Sequence, residues 1–135
     1  MNVSNGIYLE HFYPQAPASV WRALTTPELH ARWWAPGNVR AVVGHKFDLD
    51  MGQWGKQPCE VLEVEPERLF KYRFAIGTLD TVVTWKLAAE GSGTRLWFSQ
   101  EGFNLETPAG RMAIEGMGKG WPGILGRLEG VSAEA

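Results

Sequence analysis

The stretch from Thr107 to Gly130 constrains this chain more than any other. Thr107 followed by Pro108 reads as a helix start. The hydroxyl can cap, and proline at the first helical position does no harm by lacking an N–H. Met112, Ala113, Met117, Trp121, Ile124, Leu125 and Leu128 then recur at three- and four-residue steps, which lays them along one helical face. Yet Gly110, Gly116, Gly118, Gly120, Gly123 and Gly126 sit in the same stretch. Each interior glycine costs a helix about 1 kcal/mol against alanine, and Pro122 removes a ladder bond. A helix that keeps these residues is expected to gain a close approach to another surface. A kink or a restart is expected at Gly120–Trp121–Pro122, with the main helix able to begin at Pro122. The bland reading is an amphipathic helix packed on a sheet. The sharper one is a helix that also roofs a ligand cavity.

The rest of the chain supplies such a sheet. Ile7 to Tyr13 alternates, with Ile7, Leu9, His11 and Tyr13 on one face and Tyr8, Glu10 and Phe12 on the other. Val20, Trp21 and Leu24 lie at helical spacing, and Thr26–Pro27 starts a second short helix that runs to Trp33. Strands are then expected at 39–43, 45–51, 57–64, 69–76, 79–87 and 94–101, with Gly44 as a hairpin turn between the first two. Short turns between consecutive strands make the sheet antiparallel. One sheet and one long helix predict a single α+β domain over residues 1–135.

Composition narrows the function classes. The chain has 135 residues, 44% apolar and 21% charged, enough for one core. A net charge of −2 gives no reason to expect nucleic acid or an anionic membrane as partner. Nothing reads as a signal peptide or a membrane-spanning run, so a cytoplasmic protein without membrane insertion is expected. Cys59 is the one cysteine, and with His11, His30 and His45 it offers no ligand spacing for a metal. Cys59 lies mid-strand, where a lone cysteine reads as a small core residue rather than a nucleophile. No G-x-S-x-G elbow and no phosphate-binding glycine loop occur, so neither covalent catalysis nor a cofactor is expected.

Several segments resemble the activator of Hsp90 ATPase homologue-like branch of the START/Bet v 1 superfamily, also termed SRPBCC or helix-grip. They are Tyr13 to Pro27 (YPQAPASVWRALTTP), Arg32–Trp33–Trp34, Glu60 to Leu69 (EVLEVEPERL), Val83 to Leu87 with Gly93 to Leu96, Gly102–Phe103, and Gly120–Trp121. The resemblance covers nearly the whole chain. It implies a curved antiparallel sheet of six or seven strands wrapped round a C-terminal helix, with two short helices after the first strand. Three departures stand out: His45 after Gly44 where two glycines are usual, Gln100 where histidine is common, and Pro122 after the Gly–Trp pair. The superfamily includes lipid and hormone carriers, aromatic polyketide cyclases and a few hydrolases, and the branch includes stress-related and co-chaperone-like proteins. Fold does not settle function among these.

The expected site is a largely apolar cavity between sheet and C-terminal helix. Trp33, Trp34, Phe47, Met51, Trp54, Phe74, Trp85, Phe98, Met112 and Met117 are expected near it, many of them simply as core. The leading reading is a binding protein for a small hydrophobic or aromatic ligand, lipid-like or polyketide-like. The enzyme alternative is a cyclase, dehydratase or hydrolase using His11, His45 or Gln100 with a bound water. A third reading is a co-chaperone-like or stress-response module, disfavoured because the eukaryotic activator has a further N-terminal domain. Tyr8, Phe12 and Trp97 fall on the face opposite the core, which suggests a homodimer. Trp121 is expected to be structural, and Met117, one turn earlier, to stand nearer the cavity mouth.

Overall fold

The structure, a computed structural model, describes residues 5–135. Six strands form one antiparallel sheet: β1 (Gly6–Tyr13), β2 (Lys46–Asp50), β3 (Lys56–Glu65), β4 (Leu69–Phe74), β5 (Thr81–Glu90) and β6 (Gly93–Glu101). Their spatial order is β1-β6-β5-β4-β3-β2. Two short helices, α1 (Pro17–Thr25) and α2 (Pro27–Trp33), follow β1, and a long helix, α3 (Pro108–Ser132), ends the chain. This is the helix-grip arrangement.

Register decides which side chains face α3. Ile7 pairs with Gln100, Leu9 with Phe98 and His11 with Leu96, while Trp85 pairs with both Phe98 and Phe70. These residues share the inner face because alternate positions along paired strands point the same way. Tyr8, Glu10, Phe12, Lys86 and Trp97 therefore point outward. A bulge between Val61 and Glu63 shifts the register of β3 against β4, the usual means of bending a strand.

Two expectations are corrected. First, residues 39–43 form no strand. Val39 is buried, but Val42 and Val43 are exposed, and the chain turns on a Val42 N–H to Arg40 C=O bond. Three valines gave that segment a strand's composition, yet β2 finds its further neighbour elsewhere. Gly37 bridges Leu49, and the Asp50 N–H donates to the Pro36 carbonyl. Gly37 lies so close to β2 that a Cβ there would meet the Asp48 carbonyl oxygen at 2.4 Å, so only glycine fits.

Second, α3 neither breaks nor restarts at Pro122. It runs unbroken from Pro108 to Ser132, capped by Thr107, whose Oγ1 accepts from Gly110 N at 3.0 Å. Pro122 faces solvent, while Trp121, Leu125, Leu128 and Val131 are buried. Burying four large apolar side chains outweighs one missing ladder bond. Nor do the glycines mark close approach. At Gly116, Gly120, Gly126 and Gly130 an added Cβ would meet nothing within 4 Å. Gly110 is the exception, pressed against the Asn104 carbonyl. No helix among the described residues is long and apolar enough to cross a membrane.

Candidate functional site

The space between sheet and α3 is organised round Trp121. Its ring centroid lies 4.2 Å from Phe98, 4.8 Å from Trp34 and 5.8 Å from Trp85. Trp85 in turn meets Phe98 at 4.7 Å and Trp33 at 5.4 Å, and Trp34 meets Phe74 at 5.5 Å. The tilted and edge-on packing of these rings is the arrangement aromatic quadrupoles prefer. Strands β4, β5 and β6 bring Phe74, Trp85 and Phe98; the end of α2 brings Trp33 and Trp34; α3 brings Trp121.

One polar group stands among them. Gln100 is wholly buried on β6. The Trp121 indole can only donate, so its Nε1–H bond at 2.9 Å places the Gln100 Oε1 toward it. Gln100 Nε2 then donates to Thr81 Oγ1 at 3.0 Å and to the Met117 sulfur at 3.4 Å. The carboxamide thus ties β5, β6 and α3 together. Trp85 Nε1–H donates to the Tyr72 hydroxyl at 3.1 Å. Burial, partly offset by that bond, holds the Tyr72 phenol far above its usual range.

The expected ligand-binding residues divide. Trp33, Phe74, Trp85 and Phe98 are buried inside the aromatic cluster, and Trp34 and Met117 are half-buried against it. Phe47 is buried farther along the sheet against Tyr72, and Met51 is half-buried at the end of β2. Trp54 and Met112 do not lie near the interior: they are 72% and 73% exposed. Trp54 is carried outward by the 3-10 turn Gly52–Trp54, and Met112 lies on the outer face of the first turns of α3, whose inner face packs Ala113 and Ile114 against the core.

The three catalytic candidates are not brought together. His11 lies beside Glu129 near the end of α3, 3.2 Å from its carboxylate, with its ring 4.4 Å from Tyr13. His45 stacks on Phe47, and its Nε2–H donates to the Asn38 carbonyl at 2.6 Å. Only Gln100 is central, and a carboxamide neither gives up nor takes a proton at neutral pH. Burial pushes the Cys59 thiol up to about 12, against a weaker opposing pull from the Ala75 backbone, so it carries no thiolate at neutral pH.

Two central residues were not singled out from sequence. Thr81 stands two positions before Val83 on the inward phase of β5, a signal that was available. His30 stands three and four residues before Trp33 and Trp34, and its Nδ1–H donates to the Ala35 carbonyl at 2.6 Å. Burial pulls its imidazole down to about 4, so it is neutral at pH 7 and closes the C-terminal end of α2.

On the opposite face of the sheet lie two open concavities of about 440 and 420 Å3. Thr84 and Ser99, directly paired and short, form their shared floor with Lys86 and Glu101. Tyr8 and Trp97 wall the first, and Glu63, Glu65 and Lys71 the second.

Comparison with known proteins bears on this architecture. No curated protein matches the chain. Among solved structures, protein MLL2253 from Mesorhizobium loti is 32% identical, over 96% of this chain and 98% of that one, with a TM-score of 0.85. CalU16 from Micromonospora echinospora is 26% identical over 94% of this chain and 75% of that one, with a TM-score of 0.75. The Aha1 dimer from Colwellia psychrerythraea is 18% identical over 92% of each chain, with a TM-score of 0.78. The family described as Activator of Hsp90 ATPase homolog 1-like protein matches residues 15–133, which take in β2 to β6 and all three helices. The chain belongs to that family.

Proposed function

We propose that residues 1–135 act as one helix-grip domain that binds a small hydrophobic or aromatic molecule between the sheet and α3. The observation that carries this reading is the interior itself: a cage of aromatic rings with a single carboxamide, Gln100, at its centre. Ligand sites of this kind are apolar walls with few, well-placed polar points. Trp34, Phe74, Trp85, Phe98 and Met117 are the proposed walls, and Gln100 is the point that orients the guest. Trp34 and Met117 are half-buried, so they stand where the interior meets solvent. The arrangement favours binding over acid–base chemistry, because His11 and His45 are engaged elsewhere and no titrating histidine or carboxylate joins Gln100.

Titration with a panel of naphthalenes, flavonoids and fatty acids tests this. The seven tryptophans give the readout directly, and a thermal shift gives a second. Quenching with saturation and a raised Tm is expected for at least one aromatic class. Absence of both across the panel rejects the reading.

The outward face supports a second proposal, self-association. Tyr8, Phe12 and Trp97 are 58%, 41% and 42% exposed on the adjacent strands β1 and β6, and contiguous exposed aromatics commonly mark contacts. Light scattering at high concentration is expected to give a homodimer that Trp97→Glu dissociates. A monomer throughout rejects it.

A further inference from the structure

We propose that the guest reaches the interior by displacement of the first half of α3, Pro108–Gly120, about a hinge at Gly118–Pro122, and that it bears a hydrogen-bond-accepting oxygen. This rests on the binding reading above.

The hinge follows from how α3 is held. Its second half buries Trp121, Leu125, Leu128, Val131 and Ser132, whereas the first half buries Gly110 alone. Ala113, Ile114 and Met117 are half-buried there, and Met112 is exposed. Gly116 and Gly120 lower the helix-forming tendency of that half and pack on nothing in return. At the junction Pro122 has no N–H to give the Gly118 carbonyl, so the two halves already lack one ladder bond. If the first half leaves, Pro122 becomes the opening residue of the remaining helix, where proline is favoured. The restart that local sequence calls for at Pro122 is then the structure of the opened state. Segments with few buried apolar contacts are the ones that open below the global unfolding free energy.

The ligand chemistry follows from what moves. Met117 belongs to the first half and takes its sulfur with it. One Gln100 N–H would stay on Thr81, and the other would lose its partner in apolar surroundings. A thioether is a weak acceptor and an oxygen a better one. A guest with a carbonyl, ether or phenolic oxygen improves on the contact it displaces, whereas a pure hydrocarbon leaves a buried donor unpaired, which is costly.

The experiment uses two probes of one shape, 2-acetylnaphthalene and 2-isopropenylnaphthalene, which differ in having a carbonyl oxygen or a methylene. The ketone is expected to bind the intact protein about fivefold tighter, the usual worth of one hydrogen bond. Gln100→Leu should bring the ratio close to one. Met117→Leu, which conserves volume, should strengthen both probes and leave their ratio unchanged, because no N–H···S contact is broken on binding. Hydrogen exchange of the unaltered protein tests the hinge without any variant. Amides of residues 111–120 should exchange at least about tenfold faster than those of 124–131. Equal exchange of the two halves overturns the hinge. Equal affinity of the two probes, or a ketone advantage that survives Gln100→Leu, overturns the oxygen requirement while leaving the binding reading intact. Failure of both probes and of the wider panel overturns the binding reading, and this proposal with it.

Discussion

The two halves of α3 are alike in composition and unlike in anchoring. Glycines lie in both, and each half has two that face open space: Gly116 and Gly120 in the first half, Gly126 and Gly130 in the second. Helix propensity therefore does not separate the halves. Burial does. The second half is pinned by Trp121, Leu125 and Leu128, by the Tyr13 hydroxyl donating to the Leu125 carbonyl at 2.9 Å, and by Arg127 donating to the Trp33 carbonyl at 3.2 Å. The first half has the Thr107 cap, an exposed Glu115–Lys119 pair and the Met117–Gln100 contact. An exposed pair of that kind contributes only a few tenths of a kcal/mol. A weak helix sequence is thus held as a helix by whatever its side chains can bury, and the two ends of one element can differ widely in stability.

The largest test of this contrast is Trp121→Ala. It removes the ring on which Trp34, Trp85 and Phe98 pack and leaves the Gln100 oxygen without its donor. Urea unfolding should show a loss of about 3–5 kcal/mol. Met117→Ala in the first half should cost about 1 kcal/mol, since that side chain is only half-buried. Comparable losses at the two positions would erase the distinction between the halves.

Acid probes the support beneath the second half. Burial lowers the His30 imidazole from 6.5 to about 4, with the bond to Ala35 pulling weakly the other way. The unfolded chain therefore takes up a proton near pH 6.5 that the native chain refuses until about pH 4. Stability from this group is full above pH 6.5 and falls as the pH drops through that window. The expected loss is about 3 kcal/mol by pH 4. Urea midpoints between pH 7 and 4 measure it, and His30→Gln should flatten the slope. A slope unchanged in the variant would mean that other groups govern the acid limb.

Tyr13→Phe sharpens the comparison further. It deletes the hydroxyl that reaches Leu125 and should cost about 1 kcal/mol, with the loss appearing in exchange of the second-half amides. The smallest effects have the opposite sign. Gly116→Ala and Gly126→Ala meet open space and should each add about 0.5–1 kcal/mol to the unfolding free energy. Similar gains at both sites support one continuous helix. A gain at Gly126 with none at Gly116 would mean that the first half is not helical in solution.

Much of the fold was legible in the sequence because it depends on short-range regularities. The alternation in Ile7–Tyr13 and the inward phase of Val83, Trp85 and Leu87 both survive folding, because a strand with one buried face has only one workable register. The Thr107–Pro108 start of α3 is equally local. Residues 39–43 misled because valine reports a preference for a half-buried pleated surface, and that surface was already supplied to β2 by Pro36–Gly37.

The site was legible only in part. Aromatic residues on the inward phase could be named, and Gln100 among them, from strand periodicity alone. What Gln100 bonds to could not, since Thr81, Met117 and Trp121 lie 17 to 21 residues away along the chain and meet it only through the fold. The sequence by itself determined which faces are apolar, where strands turn and where α3 begins. Tertiary structure decided that α3 passes through Pro122 without stopping, that Gly116, Gly120, Gly126 and Gly130 face open space while Gly110 is buried, and that Trp54 and Met112 stand outside. The reason is one of scale. Local preferences amount to about 1 kcal/mol per residue, whereas burying a large side chain contributes about 1.5–3 kcal/mol and depends on partners the local sequence does not contain.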